Sequence, residues 1–319
     1  MSNIMELKGR NVLVTGAAGF IGSHLADRLL AEGARVTGID NLSEGSLENL
    51  KKSLQETNFK FHKGDIRDRE FLHTIVDKID IIFHLAAFTS VRRSISNPLE
   101  CNEINVTGTL NLLELARKYD VNKFIYSSSA AVYGNTPQLP IDEDVQPKPL
   151  SPYGISKLTA EQYVLIYNEL YDIETTALRY FNVYGPRQKL SEYSGVITIF
   201  LERLKNHQDL VIYGDGNQTR DFIYITDVVN ANLKATKTKS QGNIFNIATG
   251  DRISIRELAE IIVKQSGKSN TKIIHDPPKL GDIIHSYANI EKSRQKLDFS
   301  AQISINEGLR KVIQWYMKN

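Results

Sequence analysis

Tyr153 and Lys157 stand four residues apart in Pro152-Tyr153-Gly154-Ile155-Ser156-Lys157, which places both on one face of a helix that Ser151 can cap and Pro152 can begin. A phenol with a pKa near ~10 is a poor base at neutral pH. An ammonium ~4 Å away, at an effective dielectric of ~20, is worth roughly 4 kcal/mol, or about three pK units before desolvation opposes it. The spacing therefore predicts a Tyr153 phenolate near neutral pH. A cluster of hydroxyls, Tyr126-Ser127-Ser128-Ser129-Ala130-Ala131-Val132-Tyr133-Gly134, stands ready at the end of another predicted strand. A third feature is Thr15-Gly16-Ala17-Ala18-Gly19-Phe20-Ile21-Gly22, between an apolar run and an amphipathic stretch. Glycines at three-residue spacing let the backbone turn tightly, approach a pyrophosphate and aim a helix N-terminus at it. The next predicted strand ends in Asp40, 18 residues after Gly22. A carboxylate there accepts from both ribose hydroxyls of an adenosine and repels a 2′-phosphate, which favours NAD over NADP. A strand ending near Asp65-Ile66 would offer a side chain and an amide to an adenine edge.

The elements that must position these groups follow from periodicity. Strands are predicted at Asn11–Thr15, Arg35–Ile39, Ile79–His84, Lys123–Ser127 and Thr175–Arg179, alternating with helical patterns such as 23–32 and 106–119. That alternation predicts an α/β fold, a doubly wound parallel Rossmann sheet. From about Gly185 the rhythm changes to Gly, Pro and Asn punctuation, and a smaller C-terminal α+β substrate domain is expected. The expected division is 1–180, with a return segment at about 222–252, for the cofactor, and 181–221 plus 253–319 for the substrate. Leu309, Val312, Ile313 and Tyr316 have the spacing of a core-facing helix.

Composition narrows the classes. The chain has 319 residues, 41% hydrophobic and 24% charged, which predicts a folded protein with a sizeable core. Lys plus Arg number 39 against 37 for Asp plus Glu, so a net charge of +2 provides no broad field for nucleic acid or an anionic membrane. Any anionic ligand must be held by a few local cations. No apolar run approaches a membrane span, and the first residues lack a signal-peptide pattern, so a cytoplasmic protein is expected. Cys101, the single cysteine, reads as a small core residue, and no metal site is expected.

Together the Gly16–Gly22 loop, the serine cluster and Tyr153/Lys157 resemble the extended short-chain dehydrogenase/reductase family, and within it nucleotide-sugar epimerases of the UDP-galactose 4-epimerase type. Leu178-Arg179-Tyr180-Phe181-Asn182, the stretch from Gly214 to Phe222 and Gly281-Asp282 extend the likeness over almost the whole chain. The resemblance implies that Tyr153 is the acid/base, that Lys157 binds the nicotinamide ribose and that Ser129 bonds to the sugar hydroxyl being oxidised. It implies NAD contacts at Gly16, Gly19, Phe20, Ile21, Gly22, Asp40, Asn41, Leu42, Ser43, Gly45, Asp65 and Ile66. Further contacts are implied at Leu85, Ala86, Ala87, Thr89, Asn105, Ser127, Tyr153, Lys157 and Tyr180. For a UDP-sugar it points to Ser90, Ser129, Asn182, Val196, Tyr213, Arg220, Lys279, Asp282 and Ser286. Relatives usually carry arginine at Lys279, and many carry aspartate at Asn289. Serine at 286 removes the bulky tyrosine wall that goes with exclusion of N-acetylated sugars.

Sugar dehydratases of this family place an acidic pair directly after the catalytic hydroxyl. Here those positions are Ala130 and Ala131, which speaks against dehydration and decarboxylation. The expected activity is 4-epimerisation of a UDP-hexose through a 4-keto sugar. Arg92 and Arg93 would support a UDP-glucuronate epimerase or decarboxylase instead, and a non-catalytic NAD-sensing regulator is the reading from another class. The family also implies a homodimer through 106–119 and 152–171.

Overall fold

The computed structural model describes residues 6–76, 78–189, 195–237, 240–278 and 283–318. Seven parallel strands form the central sheet: β1 (Asn11–Thr15), β2 (Arg35–Asp40), β3 (Phe59–Lys63), β4 (Ile81–His84), β5 (Lys123–Ser129), β6 (Glu174–Tyr180) and β7 (Asn243–Ile247). Their order across the sheet is β3-β2-β1-β4-β5-β6-β7. The winding reverses between β1 and β4, the place where a doubly wound sheet opens a crevice at its carboxyl ends.

β3 stops at Lys63, short of the expected Asp65-Ile66. The cause is local: the Asp65 carboxylate accepts from the amide of Arg67 at 2.9 Å and turns the chain. β4 begins two residues later than its pattern suggested, because Asp80 spends its carboxylate on the amide of Asn11 at 2.8 Å.

Register places the strand ends at different heights. His84 closes β4 opposite Tyr126 of β5. β5 runs on through Ser127, Ser128 and Ser129, paired there with Leu178, Arg179 and Tyr180 of β6. The serine cluster therefore projects beyond β4 with one neighbour strand instead of two.

Helices cover both faces. α1 (Phe20–Ala31) packs on one face in an apolar cluster that includes Leu25, Leu29, Val12 and Val14. α2 (Gly108–Lys118) and α3 (Pro152–Tyr171) pack on the other through Leu112, Ala116, Ala160 and Val164, against Leu13, Ile82 and Phe124. α3 starts as its residues suggested: Pro152 is in the first turn and the Ser151 hydroxyl accepts from the Gly154 amide at 3.1 Å. The regular turns of α2 begin at Gly108, later than expected, because Glu103–Thr107 form a wider π-helical turn.

The C-terminal part is a smaller α+β arrangement. Short strands pair Asn182–Tyr184 with Phe222–Tyr224, Leu210–Tyr213 with Ile273–Asp276, and Thr219–Arg220 with both Ile253–Ser254 and His285–Ser286. Helices Val196–Lys205, Ile255–Ser266 and Ile305–Lys318 join the same apolar cluster as α1, so one core runs from the sheet into this part. In the last helix Leu309, Val312 and Ile313 are buried and Tyr316 packs against them.

A tight backbone approach lies where β1 turns into α1. A Cβ on Gly22 would stand 2.1 Å from the carbonyl oxygen of Gly16, and backbone cannot yield as a flexible side chain does. Gly22→Ala is expected to cost about 1–3 kcal/mol of stability, seen as a lower urea midpoint at unchanged slope. An unchanged midpoint would show that the helix can shift away freely.

Candidate active site

The β1–α1 turn has the form of an anion cradle. Gly16 adopts φ +70°, and a Cβ there would meet the Ala86 amide nitrogen at 2.8 Å. The N-cap of α1 is Gly19, so no side chain occupies the amides of its first turn, which begins at Phe20, Ile21 and Gly22. Thr15 joins this turn to the end of β4: its hydroxyl accepts from the amides of Leu85 at 3.2 Å and Ala86 at 3.1 Å. Leu85, Ala86 and Ala87 are half-buried beside it, and Thr89 is exposed.

Asp40 ends β2 next to this turn and accepts from the amides of Ala18 at 3.0 Å and Leu42 at 2.7 Å. Burial pushes its carboxyl above the ordinary value, and those amides oppose the push. Gly45 lies directly over it, since a Cβ would approach both carboxylate oxygens to 2.9 Å. Leu42 takes a left-handed φ of 65°, and Ser43 donates its amide to Asn41 at 3.0 Å. Asn41 in turn donates to Asp65 at 3.0 Å. Asp65 is held down to about 2 by the Arg67 guanidinium, which donates to both of its oxygens. Ile66 is a core side chain, so its backbone is what it can offer a ligand.

At the projecting end of β5 the hydroxyls gather. The Ser129 hydroxyl lies beside the phenol of Tyr153 and accepts from the Ala131 amide at 3.2 Å. Lys157 donates to the Ser127 carbonyl at 2.7 Å, at the first residue past the end of β4, and lies over the Tyr126 ring. The Ser127 hydroxyl donates to Tyr180 at 3.2 Å, and burial pushes the Tyr180 phenol up to about 12. The expected phenolate is not what this arrangement favours. Burial raises Tyr153 above its ordinary value, the Ser129 hydroxyl opposes it, and the Lys157 charge is directed to a carbonyl. Burial also lowers Lys157 to about 8.

Two residues behind this end hold it in place. His84 bonds to Thr15 at 2.8 Å through Nδ1 and to Thr109 at 2.9 Å through Nε2. Thr109 donates its hydroxyl to the Asn105 carbonyl, so Nε2 carries the proton, and burial lowers His84 to about 3. It is a neutral structural histidine. Asn105 is buried, accepts from the Phe88 amide at 2.7 Å and donates to the Phe88 carbonyl at 3.1 Å and to Ser156 at 2.9 Å. It ties the β4 loop to α3 from inside the π-helical turn.

The residues expected to meet a nucleotide-sugar fall into two groups. Asn182 donates its amide and side chain to the Asp221 carbonyl at 3.1 and 2.9 Å, and Ser286 pairs with Arg220 in register. Asp221 donates its amide to the Ser286 carbonyl at 3.0 Å. Asn182, Arg220 and Ser286 thus adjoin one another, and Asn182 is two residues past Tyr180, which is level with Ser129. The second group is dispersed. Val196 opens a helix, the exposed Tyr213 ends a strand, and Ser90 uses its hydroxyl to cap the helix Val91–Ser96 at 3.1 Å. Lys279 and Asp282 lie outside the described residues. Asn289 acts locally, its side chain accepting from the Glu291 amide at 3.0 Å.

Sequence reasoning passed over Asp221, Glu161 and Arg179. Asp221 is wholly buried, and its carboxylate accepts from the amides of Thr249 and Gly250 at 2.9 Å each and from the Thr249 hydroxyl at 2.7 Å. Its signal was a charge directly before the apolar strand Phe222-Ile223-Tyr224. Glu161 follows Tyr153 and Lys157 on one helix face at i, i+4, i+8. Among the described residues no group of side chains could hold a metal ion, and no helix is long and apolar enough to cross a membrane.

Comparison with known proteins agrees with this geometry. Residues 12–248 match the model of the NAD dependent epimerase/dehydratase family. The chain is 40% identical over 306 residues to a UDP-glucose 4-epimerase of Mycolicibacterium smegmatis, covering 95% of this chain and 97% of that one. A UDP-N-acetylglucosamine 4-epimerase from Methanobrevibacter ruminantium, solved with UDP-N-acetylmuramic acid, superposes with a TM-score of 0.93 at 38% identity, over 98% of this chain and 99% of the other. A UDP-glucuronic acid 4-epimerase from Bacillus cereus, solved with UDP-glucuronic acid and NAD, gives 0.88 at 33% identity, over 97% and 99%.

Asp221 provides a test of the electrostatics. Burial raises it to about 6 from the ordinary 3.8, against its hydrogen bonds. A group whose folded value lies above its unfolded one contributes stability that is fully present below about 3.8 and lost as pH rises through about 6. The stability difference between wild type and Asp221→Asn should therefore fall by up to about 3 kcal/mol between pH 4 and 6 and level off above, measured by urea unfolding. A difference that rises with pH in that window would mean that the hydrogen bonds outweigh burial.

Proposed function

The chain belongs to the NAD dependent epimerase/dehydratase family, and from that premise we propose that it is an NAD-dependent 4-epimerase of UDP-hexoses, UDP-glucose and UDP-galactose among them. What carries the reading is the gathering of Ser129, Tyr153 and Lys157 at the projecting end of β5, with Ala130 and Ala131 in place of an acidic pair. The likeness to UDP-sugar 4-epimerases over nearly the whole chain supports it. In this reading residues 1–180 with 222–252 hold the cofactor, and 181–221 with 253–319 hold the UDP-sugar.

The glycine cradle fits a dinucleotide: Gly16, Gly19 and Gly22 let the turn pack tightly on its own backbone, the uncapped first-turn amides of α1 would meet a pyrophosphate, and Asp40 would take the adenosine ribose. NAD, when bound, supplies the hydride acceptor for C4 of the sugar and the donor for its return. Tyr153 takes the proton of the 4-hydroxyl and gives it back after the 4-keto sugar has turned. Ser129 shares a hydrogen bond with the same oxygen. Lys157, charged below about 8 and one helical turn from Tyr153, would hold the nicotinamide ribose and favour the charged form of the phenol. Asn182 and Arg220 would receive the nucleotide end.

A UDP-glucuronate reading draws on the similarity to the B. cereus enzyme. It needs a cation for the sugar carboxylate. Arg93 is already engaged with Glu44 at 2.5 Å and lies over Phe88, and Arg92 is exposed on the surface, which favours a neutral sugar. The regulator reading leaves the gathered Ser129 and Tyr153 without a purpose. Exposed apolar side chains on α3, among them Ile155, Ile166 and Leu170, support a homodimer through that helix.

Two outcomes follow. Tyr153→Phe should retain NAD and lose turnover by about 10² to 10⁴, the usual loss for a general acid/base; a near wild-type rate, followed by NMR of UDP-glucose and UDP-galactose, would remove Tyr153 from the mechanism. Ser286 is proposed to leave room beside the C2 substituent. The wild type should then also interconvert UDP-GlcNAc and UDP-GalNAc, and Ser286→Tyr should suppress that pair selectively. Equal loss of kcat/KM on both pairs would refute the gate.

A further inference from the structure

Arg179 is the largest of the fully buried side chains, and its partner Glu161 is likewise without exposure. The pair is bidentate: Arg179 Nε donates to Glu161 Oε2 at 2.9 Å, and a terminal nitrogen donates to Oε1 at 2.6 Å. Ser128 donates its hydroxyl to the same carboxylate at 2.6 Å. The other terminal nitrogen donates to the Tyr133 hydroxyl at 2.8 Å and to the Glu143 carbonyl at 3.1 Å. Tyr133 donates onward to Asn246 of β7 at 2.6 Å, whose amide donates to the Glu143 carboxylate at 2.8 Å. Ser293 donates to the Asn246 carbonyl at 2.5 Å.

A buried ion pair is a costly way to fill space, and apolar residues of similar volume often stabilise a fold at least as well. What this pair does that apolar residues cannot is specify position, because a fork of donors meets a carboxylate at one orientation. Its location decides what is positioned. Ser128 and Arg179 are register partners on β5 and β6, and the next pair in that register is Ser129 with Tyr180. Glu161 lies one helical turn beyond Lys157 and two beyond Tyr153 on the same face of α3. The bond from Glu161 to Ser128 therefore joins the helix that carries Tyr153 and Lys157 to the strand that carries Ser129, at the residue next to it.

We infer that Glu161 and Arg179 are positioning residues of the proposed epimerase: together with Ser128 they lock the height of α3 against the projecting end of β5, and so set the approach of Tyr153 to Ser129. The inference rests on the proposed function for its catalytic readout and on geometry alone for its structural one. Neither residue touches the reacting atoms. Through Tyr133 and Asn246 the same lock extends to the segment that carries Ser293, so the C-terminal part is referenced to the catalytic helix.

The test replaces the pair by apolar residues, Glu161→Leu with Arg179→Met, and in a separate protein removes one bond, Ser128→Ala. In each folded variant kcat should fall, by about tenfold or more in the double variant, with KM for UDP-glucose within about threefold, since misplacement by a fraction of an ångström acts on the chemical step. Hydrogen exchange of the amides of 127–131 and 153–161 should quicken in both variants while β1 and β2 keep their protection. A filler would leave kcat and local exchange unchanged in a folded protein, and that result would overturn the inference. If the double variant does not fold, Ser128→Ala decides by the same two measurements. If the wild type forms no epimer, the proposed function fails, and the exchange pattern alone decides the positioning claim.

Discussion

The structure depends on one inequality of length: β5 is three residues longer than its neighbour β4 at the carboxyl end. Parallel pairing on both sides would have consumed the backbone of Ser127 to Ser129 and covered it. Because β4 stops at His84, the Ser127 carbonyl is available to Lys157 and the Ser129 hydroxyl to Tyr153. The early stop is itself secured. His84 is clamped between Thr15 and Thr109, and Thr15 takes the next two amides of the β4 loop, so the chain must leave the sheet there. The glycine cradle stands on the adjoining strand, at the crevice where the sheet reverses, so the two chemistries share one edge.

Much of this was legible from the residues, since local patterns carried it. The Gly16–Gly22 turn, the strand ending in Asp40 and the helix that Ser151 and Pro152 begin are each decided within a few residues of themselves. Other features were not legible, because they arise from burial and from partners remote in the chain. Tyr153 and Lys157 share a helix face as expected, yet the direction of the Tyr153 shift is set by desolvation and by where the lysine points. Glu161 and Arg179 look like ordinary charged residues in sequence, and only the α3–β6 packing makes them a pair. Asp221 sat inside a motif without an assigned role until Thr249, Gly250 and Ser286 closed around its backbone and side chain. Ser90 and Asn105 were expected at ligands; their polar atoms go to a helix cap and to the Phe88 loop.

The polar interior has a division of labour. Neutral, satisfied groups such as His84 and Asn105 hold the β4 loop. Groups pushed off their ordinary values by burial, Tyr153 and Lys157, face the place where protons would move. The ion pair of Glu161 with Arg179 lies between these and the C-terminal part, where a fixed orientation matters more than its net energy. The chain of hydrogen bonds from Ser128 through Glu161, Arg179, Tyr133 and Asn246 to Ser293 is what ties the end of β5 to the C-terminal part.

The central claim is that the hydrogen at C4 of a UDP-hexose leaves and returns within one site. The most direct measurement is incubation of the purified protein with UDP-glucose deuterated at C4, in ordinary water and without added cofactor, followed by NMR of both epimers. The account predicts UDP-galactose that keeps its deuterium at C4, with no label released to solvent. Epimer formed with deuterium washed out, or no epimer at all, would contradict it.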